Sequence, residues 1–119
     1  MHNFRELKVW QKSISLVKHV YLLTRSFPKE EVYGLTNQIR RCAVSISSNI
    51  AEGCGRGTNK QLAQFLDIAH GSSCELETQL IIANKLDYIE NSQFIDLADD
   101  IHEVQRMIIG FKNSLKSKS

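Results

Sequence analysis

The sequence predicts an all-α fold, an up-down-up-down antiparallel four-helix bundle forming a single domain over residues 1–119. Three observations carry this. Four segments repeat apolar residues at three- and four-residue steps, the period of a helix with one buried face. The connections are short, since one proline and six glycines in 119 residues leave little room for long loops. No run alternates apolar and polar residues as a half-buried strand does.

The first helix is expected from about Phe4 to Ser26. Leu7, Trp10, Ile14, Val17 and Tyr21 form its seam, which assigns Trp10 and Tyr21 to the core. Val9, Leu16, Val20, Leu23 and Phe27 make a second apolar line. Two lines exceed what one internal seam needs. The surplus is either a wide core face or an oligomer interface, with Leu16, Val20 and Leu23 as its candidate residues. Phe27-Pro28 ends the helix, because proline disfavours helical geometry in the residue before it. Lys29 to Gly34 connect, with room for one helical turn.

The second helix is expected from Leu35 to Cys54. Its apolar line is Leu35, Ile39, Ala43 (or Cys42), Ile46 and Ile50, opposite a polar line of Arg41, Ser45, Ser48 and Glu52. Gly53, Gly55 and Gly57 close it, as glycine suits a left-handed C-cap. Thr58 and Gln61 have capping-box spacing and open a third helix, Asn59 to Leu86. Its seam is Leu62, Leu66, Ala69, Ser73, Leu76, Leu80 and Ala83. Asn91-Ser92 caps the fourth helix, Gln93 to Leu115, whose seam is Leu97, Ile101, Val104, Ile108, Phe111 and Leu115. Its acids lie early and Lys112 and Lys116 late, as the helix dipole favours. Residues 116–119 read as a frayed tail.

Composition narrows the function. With 42% hydrophobic and 24% charged residues the chain has the make-up of a soluble globular protein. Its apolar runs are too short to cross a membrane, and Met-His-Asn-Phe-Arg-Glu lacks a signal core, so a cytoplasmic location is expected. Cys42, Cys54 and Cys74 form no C-x-x-C pair and read as small reduced core residues. Residues 1–60 carry ten Lys/Arg and four Asp/Glu, net +6, while residues 61–119 carry five and nine, net −4. That asymmetry suits a nucleic-acid surface, complementary faces for self-assembly, or ordinary solvated helix faces. Arg5, Lys8 and Lys12 share one face of the first helix, and Arg56 and Lys60 follow at the glycine-rich corner. These five are the candidate nucleic-acid-binding residues. No exposed aromatic platform or nucleic-acid motif accompanies them.

The middles of helices two and three are crowded with small and polar residues. Paired antiparallel about Arg56, residues whose numbers sum to about 113 lie opposite, so Arg41 faces Ser72 within a turn of Glu75. Arg40, Arg41, Asn49, Glu52 and Glu75 are therefore expected to form a polar network. Within it, Arg40 or Arg41 pairs with Glu75 inside the bundle and sets helix register. A binding site there is the less favoured reading. Asp67-x-x-His70 and Asp99-x-x-His102 fall short of a di-metal bundle, since the carboxylates are short and the other helices supply no inward glutamate. Gly53 to Gly57 lacks the strand and Gly-Lys-Ser/Thr of a phosphate loop. No catalytic residue, metal, cofactor or small-molecule substrate is expected.

Four stretches carry a resemblance: Phe4-x-x-Leu7-x-Val9-Trp10-Gln11; Phe27-Pro28-x-x-Glu31-x-Tyr33-Gly34-Leu35-Thr36-x-Gln38-Ile39-Arg40-Arg41; Ser45-Ile46-x-x-Asn49-Ile50-Ala51-Glu52-Gly53; and Ala69-x-Gly71-Ser72-x-x-Glu75-Leu76-Glu77-Thr78-Gln79-Leu80. Together they resemble the bacterial four-helix-bundle family of large-subunit (23S) rRNA-intervening sequence proteins, over nearly the whole chain. The resemblance implies an up-down bundle in a ring-like homo-oligomer, a pentamer in known members. It also implies distant similarity to the nucleic-acid-binding accessory protein of diversity-generating retroelements. It carries over no catalytic residues. The expected function is a non-enzymatic homo-oligomer that binds RNA through basic surface residues. The alternative is an assembly or adaptor protein whose partner is another protein.

Overall fold

The structure, a computed structural model, describes residues 2–116. Four α-helices occur among them: α1 (Lys8–Thr24), α2 (Leu35–Cys54), α3 (Asn59–Lys85) and α4 (Asn91–Lys116). Single 3-10 turns cover Phe4–Glu6 and Lys29–Glu31. Each helix packs on the next, and α4 closes against α1. Cross-helix pairs run in opposite senses. Asp67 meets Lys112 and Glu77 meets His102 between α3 and α4, while His2 and Phe111, then Lys12 and Asp100, join the first segment to α4. The result is a rod of 47 × 24 × 20 Å. One end holds the start of α1, the α2–α3 corner and the finish of α4. The other holds the 25–34 connection and the α3–α4 turn. There the Tyr88 hydroxyl donates to Glu31 Oε2 at 2.9 Å, and that carboxylate pushes the phenol's pKa up.

Helix one is shorter than expected. Leu7 is extended (φ −77°, ψ 127°), so the Phe4–Glu6 turn is separate from α1. Gln11 Nε2 stabilises the break by donating to the Arg5 carbonyl at 2.9 Å. At the other end α1 stops at Thr24, ahead of Phe27. Thr58 caps α3 as its spacing predicts, accepting from Gln61 N at 3.1 Å. Asn91 does not cap α4. It is the first helical residue, and its Oδ1 accepts from Asn84 instead. Of the expected tail, Lys116 is helical and the rest lies outside the described residues.

The seams of α2, α3 and α4 are buried as predicted, except that Leu35 and Phe111 are half-buried. Of the two alternatives for helix one, the wide core face holds: the second apolar line is the buried one, and Leu7, Trp10 and Val17 of the first pack at its margin. Val9, Ser13, Leu16, Val20, Thr24 and Phe27 are buried, whereas Ile14 and Tyr21 are 42% and 40% exposed and Trp10 is half-buried. Leu16 and Val20, at 1% and 0% exposure, are core residues and cannot form an oligomer interface; Leu23 is half-buried. The true seam is hard to see because two of its members are hydroxyl residues. Ser13 Oγ donates to Trp10 O at 2.6 Å and Thr24 Oγ1 to Val20 O at 2.8 Å, so both are buried without an unmet hydroxyl.

No glycine at the α2–α3 corner takes the left-handed geometry expected of a C-cap, and Gly53 acts instead by its size. Among the described residues only Asp87 has positive φ, 62°. A Cβ on Gly53 would lie 2.8 Å from both Leu62 Cδ1 and Phe65 Cβ. That close approach positions α3 against α2.

Candidate nucleic-acid interface

The fold brings together cations that are far apart in sequence. Arg5 and Lys8 precede and begin α1, Arg56 and Lys60 flank the α2–α3 corner, and Lys112 and Lys116 finish α4. All six therefore lie at one end of the bundle. Lys60, Lys112 and Lys116 line a common cleft of about 180 Å³. The two α4 lysines escape a search for basic stripes. Only the return of the fourth helix alongside the third places them beside Lys60.

Several of these cations are already held by the chain. Arg56 Nη2 lies 2.8 Å from Glu52 Oε2, and its guanidinium covers the Phe65 ring at 4.8 Å. Arg5 sits over Phe4 at 4.6 Å. Lys112 pairs with Asp67 at 2.6 Å. The exposed pairs cost little to reopen, since surface ion pairs contribute roughly 0–1 kcal/mol. Lys12 is a correction. It lies 3.3 Å from Glu103 and 3.6 Å from Asp100, clasping α1 to α4. The hydrogen bond to Glu103, with help from Asp100, raises its pKa, so it stays charged but neutralised. The break at Leu7 also separates it from Arg5.

The polar network exists in part, and its register differs from expectation. Ser45 Oγ and Ser72 Oγ are 2.9 Å apart, and the Cys42 thiol donates to Glu75 Oε2 at 3.6 Å. Both pairs sum to 117, one helical turn along from the predicted register. The contact of Gly53 with Leu62 and Phe65 explains the shift. Asn49 Nδ2 extends the bridge to Ser45 O and Oγ at 2.8 and 3.0 Å. Arg41 and Glu75 are exposed and form no ion pair, though they line one shallow cleft. Arg40 turns the other way, donating from Nε to Thr24 Oγ1 at 2.9 Å. Glu52 pairs with Arg56. The network is therefore an Asn49–Ser45–Ser72 bridge along the outer rim of α2 and α3, not an ion pair in the interior.

The remaining chemical candidates are tied up elsewhere. His102 Nε2 contacts Glu77 Oε2 at 2.7 Å and Asp67 holds Lys112. Among the described residues no three His, Cys, Asp or Glu side chains are grouped to hold a metal. The three thiols are unpaired, but only Cys54 is core; Cys42 is half-buried and Cys74 exposed. Burial pushes the Cys42 and Cys54 thiols up, and Glu75 adds to the rise at Cys42. Thiols held protonated are poor nucleophiles.

The family model described as 23S rRNA-intervening sequence protein matches residues 5–110. Among solved structures, a protein of unknown function from the S23 ribosomal protein family of Bacteroides thetaiotaomicron superposes with a TM-score of 0.80 at 24% identity. The match covers 88% of this chain and 95% of that one, and at this identity it speaks for the fold. No curated protein matches the chain.

Proposed function

Because the chain belongs to the 23S rRNA-intervening sequence protein family, we propose that it is a non-enzymatic, homo-oligomeric cytoplasmic bundle that binds RNA through its basic end. The observation that supports this most is the convergence of Arg5, Lys8, Arg56, Lys60, Lys112 and Lys116 at one end of the rod. Away from that end α3 and α4 are acidic, with Glu75, Glu77, Asp96, Asp99, Asp100 and Glu103 against Lys85 and Arg106. Phosphates meeting such a surface release counterions, so affinity falls steeply with salt. A ring of copies, pentameric by family resemblance, multiplies a weak end into a multivalent one.

The test is a filter-binding titration of rRNA fragments at rising salt. Binding at low salt that weakens steeply is expected. Lys8→Glu combined with Lys60→Glu should reduce the log–log salt slope by about 1–2. Absence of binding at low salt rejects the RNA reading.

A second reading, an assembly or adaptor protein, is favoured by exposed apolar side chains along α1, α3 and α4. Ile68 and Ile82 on α3 are 51% and 44% exposed, each about two turns from Glu75 and on opposite sides of it. Ile14 on α1 and Ile109 on α4 are also exposed. These replace Leu16 and Val20 as candidates for subunit or partner contacts. Light scattering should report a mass several times 13.6 kDa. A monomer would remove self-assembly from both readings.

A further inference from the structure

We propose that the groove between the end of α1 and the start of α2 binds a small oxyanion, a phosphate or carboxylate carried on a compact apolar group. This site is at the opposite end of the bundle from the proposed RNA surface, about 30 Å away along α2. It stands independently of the RNA reading.

The groove measures about 460 Å³, within the range of small-molecule sites. Arg25, Lys29 and Arg40 line it and no acid does. None of the three forms an ion pair among the described residues. Arg40 is the informative one. Nε donates to Thr24 Oγ1 at 2.9 Å, Nη2 to the Tyr21 carbonyl at 3.5 Å, and the guanidinium covers the Tyr21 ring at 4.5 Å. Those contacts fix the half-buried fork without neutralising it. A positioned guanidinium with no carboxylate is ready to receive an oxyanion.

Two further observations concern the opposite wall. Thr36 is 5% exposed, and its Oγ1 has no hydrogen-bond partner among the described residues. An orphaned buried hydroxyl is costly, and Thr36 lines the groove, so an anion held there is the acceptor its proton lacks. Thr36 also lies in the first turn of α2, the positive end of a 20-residue helix whose N-cap, Gly34, offers no side chain. Glu31 serves part of that end, accepting from Leu35 N at 3.3 Å, but its other oxygen is taken by Tyr88. Phe27, Pro28 and Val32 complete an apolar wall. The groove thus offers one charged corner and one greasy side.

The test titrates the full chain with phenyl phosphate, benzoate and inorganic phosphate, following the Arg40 Nε–H and Tyr21 ring signals by NMR. Saturable shifts with phenyl phosphate or benzoate are expected, at least about tenfold tighter than with inorganic phosphate. Whichever of the two binds more tightly identifies the oxyanion. Arg40→Gln should weaken binding about tenfold or more. Lys29→Gln, an exposed change that leaves the fold intact, should weaken it by several-fold. Non-saturable shifts, or affinities unchanged in Lys29→Gln and Arg40→Gln, overturn the proposal. So does an Arg40 response to a single-stranded RNA oligomer alone, which would make the groove a backbone-phosphate contact.

Discussion

Leu16→Glu should leave no cooperatively folded protein at 25 °C. Leu16 is 1% exposed and belongs to the same core cluster as Leu66, Leu76 and Ile101. Losing a buried leucine costs about 2–5 kcal/mol. Placing an unpaired carboxylate in its stead adds several kcal/mol more, or forces protonation. Domains of this kind have roughly 5–15 kcal/mol of stability in all. Circular dichroism and urea titration read the outcome. A subunit-interface role for Leu16 predicts the opposite, a folded species of lower mass. Ile14→Glu is the control, because Ile14 lies on the same helix but is 42% exposed. It should fold, and a folded Leu16→Glu chain would refute the core assignment of α1.

The second large effect is expected at Gly53. Its missing Cβ leaves 2.8 Å to Leu62 Cδ1 and Phe65 Cβ and 3.4 Å to the Leu62 carbonyl. Leu62 can swing, but Phe65 Cβ moves only with its backbone. Gly53→Val should cost about 3 kcal/mol by overpacking, lowering Tm by roughly 10–15 °C. It should also disturb the Ser45–Ser72 bridge, because the same contact sets the helix register. Gly57→Ala makes the comparison, since nothing lies within 4 Å of a Cβ there. It should be neutral or stabilise by up to about 1 kcal/mol. Equal melting temperatures for Gly53→Val and wild type would sink the register argument.

These two positions also show where sequence reading stops. Helix two was legible from Leu35 to Cys54 because Ile39, Ala43, Ile46 and Ile50 run down its buried face at three- and four-residue steps, with the hydroxyls of Thr36 and Ser47 beside that line and not within it. Helix one was misread because Ser13 and Thr24 interrupt its buried line, while Trp10, Ile14 and Tyr21 supply a more apolar-looking one. A hydroxyl satisfied by its own helix backbone packs as a small apolar residue, and composition alone does not reveal that. At the candidate site, Arg5 and Lys8 were legible as basic residues at the start of helix one, and Arg56 and Lys60 as those at the glycine-rich corner. That Lys12 was taken by Asp100 and Glu103 was not, since those acids arrive from a helix some ninety residues later.

By itself the sequence determined the helical class, the short connections, the cap at Thr58 and the family. Each depends on period, turn chemistry and residue order, which are local properties. The tertiary structure decided which face of α1 is buried, the one-turn register of α2 on α3, and the destinations of Arg40 and Arg41. Arg40 goes to Thr24 and Tyr21 and Arg41 to the surface, whereas Arg56 meets Glu52 one turn back, in α2. Those outcomes turn on a few ångströms of approach at Gly53 and on charges arriving from distant segments, which only the packed chain brings together.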